Sequence, residues 1–289
     1  MNSPAQPSRQ MLWLNGCFLP LEKAAVSPLD RGFLYGDGLF ETMRAENGRI
    51  LFLKEHTERL QSSMRELRIK ADPFPPLDVT IGKLLHLNSL SQGIATVKII
   101  VTRGDCSGPG LPMNISGPQR PTRCITAQKY SPPSPFTYEK GWKLHVFGEG
   151  YAPPLAMHKS LNYLYHLTAR QSALDAGADE ALLLDPYGNV TETSAGSLLL
   201  RTEDTWWTPA NPHQLPGITL HRAIRFMENL GRKVEYKTAG IEKLTEAKTI
   251  WILNSLMLVM PVYALGNCPV EDLAANDASR LRNALIHLE

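Results

Sequence analysis

Cysteine is scarce in this chain of 289 residues, and the four present, Cys17, Cys106, Cys124 and Cys268, stand far apart with no CxxC pair and no Cys/His cluster. That spacing excludes a disulfide framework or a structural zinc site as the organising device, predicts no metal, and fits a reducing compartment. Long apolar runs are missing too. None approaches the roughly 20 residues that a membrane helix needs, so no membrane partner is expected. Neither sign of charge prevails: Lys+Arg 30 against Asp+Glu 28 leaves a formal net charge of +2 with no long block of either sign. Nucleic acid and anionic membranes therefore have nothing to hold. There is no repeat at the roughly 20 to 50 residue periods of solenoids. Residues 1–10 are polar, with Pro and Ser and no apolar h-region, so a frayed tail and a cytoplasmic protein are expected.

What is present describes an ordinary globular protein. Hydrophobic content of 43% and charged content of 20% suit a chain long enough for two moderate cores. Asn15-Gly16 and Asn47-Gly48, each flanked by strand-forming residues, predict hairpin turns. Gly32, Gly36 and Gly38 crowd the run from Ser27 to Thr42, which predicts a loop or short helix leading into a strand. Leu53, His56, Leu60, Met64 and Leu67 fall at helical spacing, giving an amphipathic helix over 54–67 with Arg59 beside its apolar stripe. Residues 103–118 form a long Gly/Pro/Ser loop, of a length at which function is commoner than mere connection. Beyond the prolines of 130–138, hairpins and helices alternate to a closing helix from about residue 277. The reading is α+β in two unequal lobes. A tail at 1–10 precedes a small N-terminal α/β domain at 11–130, an interdomain linker at 131–138, and a larger C-terminal domain at 139–289.

Near the middle, Met157-His158-Lys159-Ser160-Leu161-Asn162-Tyr163-Leu164 follows a Pro-rich approach and precedes a helical pattern running to about Ala176. An ammonium among apolar neighbours loses its charge readily, and the neutral amine attacks aldehydes, so Lys159 is a candidate Schiff-base lysine. Such a lysine usually serves pyridoxal phosphate, whose phosphate wants a helix N-terminus and a cation, whose ring nitrogen wants a carboxylate, and whose hydroxyl wants a donor. Gly217-Ile218-Thr219 opens a predicted helix, the alternative being an ordinary cap. Arg59 is an available cation, or else a surface residue whose stem covers apolar area. Glu192 lies among small residues in Val190-Thr191-Glu192-Thr193-Ser194-Ala195-Gly196, or is a solvated turn carboxylate. Tyr163, four residues after Lys159, lies about one helical turn away and reaches the same pocket, or packs in the core.

Taken in order, His158-Lys159-Ser160-Leu161-Asn162-Tyr163-Leu164, Ala178-Asp179-Glu180-Ala181-Leu182-Leu183-Leu184-Asp185, Val190-Thr191-Glu192 and Leu215-Pro216-Gly217-Ile218-Thr219 resemble the fold type IV pyridoxal-phosphate enzymes. That family holds branched-chain aminotransferases, D-amino acid aminotransferases and 4-amino-4-deoxychorismate lyases. The resemblance spans nearly the whole chain. It implies the two-lobed, D-amino acid aminotransferase-like architecture, pyridoxal 5'-phosphate as cofactor, a small-molecule substrate, and a homodimer whose active site borrows a loop from its neighbour. It further implies that Lys159 carries the cofactor and that Glu192 meets the ring nitrogen. Tyr163 is then the ring-hydroxyl partner, with Arg59, Gly217, Ile218, Thr219 and Ser255 around the phosphate.

Among the members, Asp30-Arg31-Gly32-Phe33-Leu34-Tyr35-Gly36-Asp37-Gly38-Leu39-Phe40-Glu41-Thr42 and Asn254-Ser255-Leu256-Met257-Leu258-Val259-Met260-Pro261-Val262 resemble the lyases, which make 4-aminobenzoate for folate. Tyr163 is instead the residue of the aminotransferases. Pro109, in Ser107-Gly108-Pro109-Gly110, stands where a lyase carries a second arginine, which leaves the handling of the substrate carboxylate open. The expected activity is 4-amino-4-deoxychorismate lyase, with a branched-chain or D-amino acid aminotransferase as the alternative and a non-catalytic cofactor carrier last. Phe33, Tyr35, Arg103, Asn254 and Met257 are the candidate walls of the substrate pocket, by their placement in Gly-rich and post-strand loops. For Phe33 and Met257 the alternative is core packing.

Overall fold

The computed structural model describes residues 10–105, 120–148, 150–151 and 153–288. The tail expected at 1–10, except Gln10, and Pro109 with most of its loop lie outside the described residues. The chain divides into two compact units, one of Met1–Ser131 with Lys159–Asn162, the other of Pro132–His158 with Tyr163–Glu289.

The first unit is built on a six-stranded antiparallel sheet. Its elements are β1 (Met11–Leu14), β2 (Cys17–Pro20), α1 (Arg31–Tyr35), β3 (Gly38–Glu46), β4 (Arg49–Ile50), α2 (Leu53–Glu66), α3 (Leu77–Leu87), β5 (Ile94–Thr102) and β6 (Arg123–Lys129). The strand order is β2-β1-β6-β5-β3-β4. Both predicted hairpins are present, with Asn15, Gly16, Asn47 and Gly48 at positive φ, the geometry that matches strand twist. Alternation along β5 turns Ala95, Val97, Ile99 and Val101 inward, each at most 1% exposed. Helices α2 and α3 cover that face with Leu60, Ile81, Leu84 and Leu85. Each such aliphatic side chain contributes about 1.5–3 kcal/mol by leaving water.

The second unit contains a nine-stranded mixed sheet. Its elements are α4 (Pro135–Lys140), β7 (Trp142–Val146), α5 (Leu164–Asp175), β8 (Glu180–Leu184), β9 (Val190–Thr193), β10 (Ser197–Thr202), β11 (Thr205–Pro209), α6 (Ile218–Asn229), β12 (Val234–Lys237), α7 (Ile241–Thr245), β13 (Thr249–Asn254), β14 (Leu258–Leu265), β15 (Cys268–Pro269) and α8 (Ala275–His287). Strands run β12-β11-β10-β13-β14-β7-β8-β9, with β15 paired to β14. One core gathers Leu144, Leu198, Ile250, Ile252 and Met260, and a smaller one lies under α5 at Phe147, Ala169, Ala173 and Leu183. Among the described residues no helix is long and apolar enough to cross a membrane. No group of three His, Cys, Asp or Glu among them could hold a metal ion.

The two units meet at Ser131 and Pro132, at the start of the expected linker, and two details differ from the sequence reading. The linker at 131–138 runs into a helix, α4, because Ser134 caps it by accepting from the Thr137 N–H at 3.1 Å and Pro135 takes its first turn. Proline is a breaker inside a helix but suits the first position, where no N–H is needed. The lysine segment, assigned by sequence to the C-terminal domain, groups with the first unit, since residues 159–161 pair with β3 as an extended strand edge.

Candidate active site

In the first unit the lysine segment is fastened by backbone. The Phe40 N–H donates to Lys159 O and the Leu161 N–H to Gly38 O, both at 2.9 Å. Gly38 makes room for this, since a side chain there would meet Leu161 Cδ1 and Val101 O at 2.7 Å. Lys159 is half-buried, with Nζ 4.6 Å from the centroid of the Phe40 ring, so its amine rests on an aromatic face.

Glu41 follows Phe40 on β3 and is 1% exposed. Both of its oxygens are engaged: Arg59 donates from Nε at 2.8 Å and from a terminal nitrogen at 2.7 Å, and His56 Nδ1 lies 2.7 Å away. Burial pushes the Glu41 carboxyl up, but hydrogen bonds from Arg59 and His56 outweigh it and hold it down at about 2. Burial lowers the His56 imidazole, against the pull of Glu41 and with help from the charges of Arg59 and Lys159. A neutral His56 then donates its Nδ1 proton to the carboxylate. Arg59 keeps its side chain 12% exposed, a cation fixed in direction and still reachable.

In the second unit, Glu192 sits on β9 and is 9% exposed. Its nearest donors among the described residues are distant: the Leu215 N–H at 3.4 Å from each oxygen, and His166 Nε2 at 3.8 Å. Tyr163 precedes α5 and donates its hydroxyl to Ser194 O at 3.0 Å. Burial, with the negative charges of Glu192 and Glu180, pushes that hydroxyl well above the usual tyrosine range, so it stays a donor. Ser194 and Arg170 both bond Glu180, a carboxyl that burial pushes up despite them. Helix α6 opens at Gly217 with no side-chain cap, and Ile218 and Thr219 form its first turn. Thr219 is 2% exposed and its Oγ1 has no hydrogen-bond partner among the described residues. Ser255 lies half-buried in the turn after β13.

The structure thus gathers Lys159, Phe40, Glu41, His56 and Arg59 in one unit, and Tyr163, Glu192 and their neighbours in the other. Tyr163 is not one helical turn from Lys159, because Ser160 is bridged to Leu39 of β3 and α5 begins only at Leu164. Arg103 is not a pocket wall. It is fully buried, donating to Asp37 at 2.8 and 3.0 Å and to the carbonyls of Leu67 and Arg68 at 2.8 Å, where it meets the negative end of α2. Met257, 2% exposed, belongs to the core. Asn254 closes the post-strand turn, accepting from the Leu256 and Met257 N–H groups at 3.0 and 2.9 Å and donating to Ala195 O at 3.2 Å. Phe33 and Tyr35 project from α1, 75% and 51% exposed. Sequence reasoning missed Glu41, Glu180 and His166. Glu41 had a signal, a carboxylate in a strand with His56 and Arg59 spaced one turn apart on the following helix.

Compared with known proteins, residues 38–265 match the model of the family "Amino-transferase class IV". A provisionally named branched-chain-amino-acid aminotransferase of Methanocaldococcus jannaschii is 32% identical over 261 residues, 88% of this chain and 87% of that protein. Aminodeoxychorismate lyase of Vibrio harveyi is 28% identical over 258 residues, 87% of this chain and 90% of that one. Among solved structures, T.th. branched-chain amino acid aminotransferase complexed with N-(5'-phosphopyridoxyl)-L-glutamate superposes with a TM-score of 0.83 at 27% identity, covering 97% of this chain and 94% of that one.

Proposed function

Because the chain belongs to the class IV amino-transferase family, whose cofactor is pyridoxal 5'-phosphate, we propose that it is an enzyme releasing pyruvate and 4-aminobenzoate from 4-amino-4-deoxychorismate. The residues present fit the cofactor on two observations. Thr219 Oγ1 is a buried hydroxyl without a partner among the described residues, at an uncapped helix start, where phosphate is stabilised by free N–H groups. Glu192 is a buried carboxylate whose best donors stand at 3.4 Å, short of a good hydrogen bond and suited to accept one from a ring N–H. When bound, pyridoxal phosphate supplies an aldehyde for amines and a protonated ring that takes up an electron pair.

The residues divide the remaining work. Arg59, the Ile218 and Thr219 N–H groups, the Thr219 hydroxyl and the Ser255 segment hold the phosphate, with Gly217 keeping the helix start open. Glu192 would hold a proton on the ring nitrogen, and the Tyr163 hydroxyl, whose one proton here goes to Ser194 O, would turn it to the ring oxygen. Lys159 would carry the cofactor at rest, and its Nζ, when free, would be the base that takes the proton at C4 and the acid that returns a proton to the departing enolpyruvyl group. That group leaves as pyruvate and the carbocycle becomes aromatic, which drives the step without any co-reactant. Phe33 and Tyr35, both exposed, are the remaining wall candidates beside Asn254.

The Asn254 turn is the observation that carries the lyase reading. Its side chain makes three hydrogen bonds and so builds a polar, side-chain-closed turn from the Asn254-Ser255-Leu256-Met257 segment. A second reading, an aminotransferase of branched-chain or D-amino acids, is favoured by Tyr163 and by the relatives of that name. The enzyme works on a small molecule, and we expect a homodimer, consistent with Leu164 and Leu167 on α5 at 76% and 58% exposure. A cytoplasmic place in folate synthesis follows from the same reading. The test supplies enzymatically generated aminodeoxychorismate and follows pyruvate and 4-aminobenzoate, beside a panel of amino acids with 2-oxoglutarate. Equimolar pyruvate and 4-aminobenzoate are expected, while keto acids from the panel alone would establish the second reading.

A further inference from the structure

The Glu192 carboxylate has one neighbour that the family resemblance does not use. His166 lies three residues after Tyr163, and the two rings stack at 4.6 Å between centroids and 11° between planes. Tyr165 meets the same imidazole edge-on at 5.6 Å and 84°, and is itself packed on Tyr151 and Phe147. Tyr163 is pinned in turn by its bond to Ser194 O, while the Ser194 hydroxyl and Arg170 anchor on Glu180. The imidazole plane is therefore fixed by two aromatic contacts, and its 20% exposed side chain places Nε2 3.8 Å from Glu192 Oε1.

The ring's other nitrogen decides the tautomer. His166 Nδ1 is buried with no hydrogen-bond partner among the described residues. A neutral imidazole has one N–H and one lone pair, and an orphaned buried N–H is the rarer arrangement of the two. The proton of the neutral ring therefore sits on Nε2, facing Glu192. Apart from the Leu215 N–H, spaced 3.4 Å from both oxygens, nothing else among the described residues holds this carboxylate.

We propose that His166 is a positioning residue for Glu192: its Nε2–H lies 3.8 Å from Oε1, beyond hydrogen-bond length, and closes onto the carboxylate when Glu192 meets the cofactor ring nitrogen. The inference rests on the proposed role of Glu192. It is tested by two substitutions that separate hydrogen bonding from packing. His166→Phe keeps an aromatic ring against Tyr163 and removes the donor, whereas His166→Gln restores an N–H near the Nε2 position and removes the ring.

Apo-protein of each variant, checked for folding by thermal melt, is titrated with pyridoxal phosphate by tryptophan quenching and near-visible absorbance. His166→Phe is expected to weaken binding roughly five- to tenfold and alter the absorbance band, with His166→Gln within about twofold of the parent. Any other order overturns the proposal, and a packing role alone predicts the reverse, with Phe harmless and Gln harmful. Glu192→Gln serves as the reference. If it changes neither affinity nor absorbance, the reading of Glu192 itself fails, whereas if it changes them and His166→Phe does not, only the role of His166 is lost.

Discussion

Arg59 and Glu41 form a two-pronged ion pair, Nε to one carboxylate oxygen at 2.8 Å and a terminal nitrogen to the other at 2.7 Å. Such a fork fixes the guanidinium plane as well as its distance. A cation proposed to receive a phosphate is thus set before the phosphate arrives, which lowers the ordering cost of binding.

Glu41→Ala leaves the Arg59 charge without its partner and is expected to destabilise the protein by about 3–5 kcal/mol, as broken buried pairs do. The pH dependence has a definite sign. The Glu41 carboxyl is held at about 2 against an ordinary 4.5, so its stabilisation is complete above about 4.5 and is lost as the pH falls through about 2. Urea midpoints measured from pH 5 down to pH 2 fall less steeply in Glu41→Gln than in the parent.

Arg103→Ala is a stability variant and not a specificity variant. Four donor contacts to Asp37, Leu67 and Arg68 are lost from a fully buried site, at a cost of about 3–5 kcal/mol. The urea midpoint falls steeply, while KM, measured at a temperature where the variant is still folded, stays within about twofold of the parent.

Thr219→Val separates folding from cofactor binding. The hydroxyl it removes has no partner among the described residues, and replacing an unsatisfied buried hydroxyl by a methyl of the same shape is neutral or stabilising. The apo-protein melts at the same or a higher temperature. Its affinity for pyridoxal phosphate drops about ten- to a hundredfold, the worth of one hydrogen bond to a charged group.

Legibility in the sequence followed the range of the interactions. Strand alternation in β5, the apolar stripe of α2 and the Asn-Gly hairpins are local signals, and each marked its element. Proline misled at α4, where its meaning reverses with position in the helix. The family and its cofactor were readable because the motifs that carry the resemblance are contiguous and ordered along the chain. Arg103 was misread, and Met257 was left between pocket and core, because an arginine after a strand and a methionine after another look alike whether they face a ligand or the core. Only long-range partners, Asp37 with the end of α2 for the one and the sheet core for the other, decide between those fates. His166 carried no motif at all, and its stack on Tyr163 depends on where α5 begins.

One chemical experiment bears on the central claim, that Lys159 is the residue that carries the cofactor. Borohydride reduction of the holoprotein, followed by proteolysis and mass spectrometry of the peptides, locates the bond between cofactor and chain. A phosphopyridoxyl group on the peptide containing Lys159, absent from Lys159→Ala, is the predicted result. A label on another lysine, or none on any, would contradict the account.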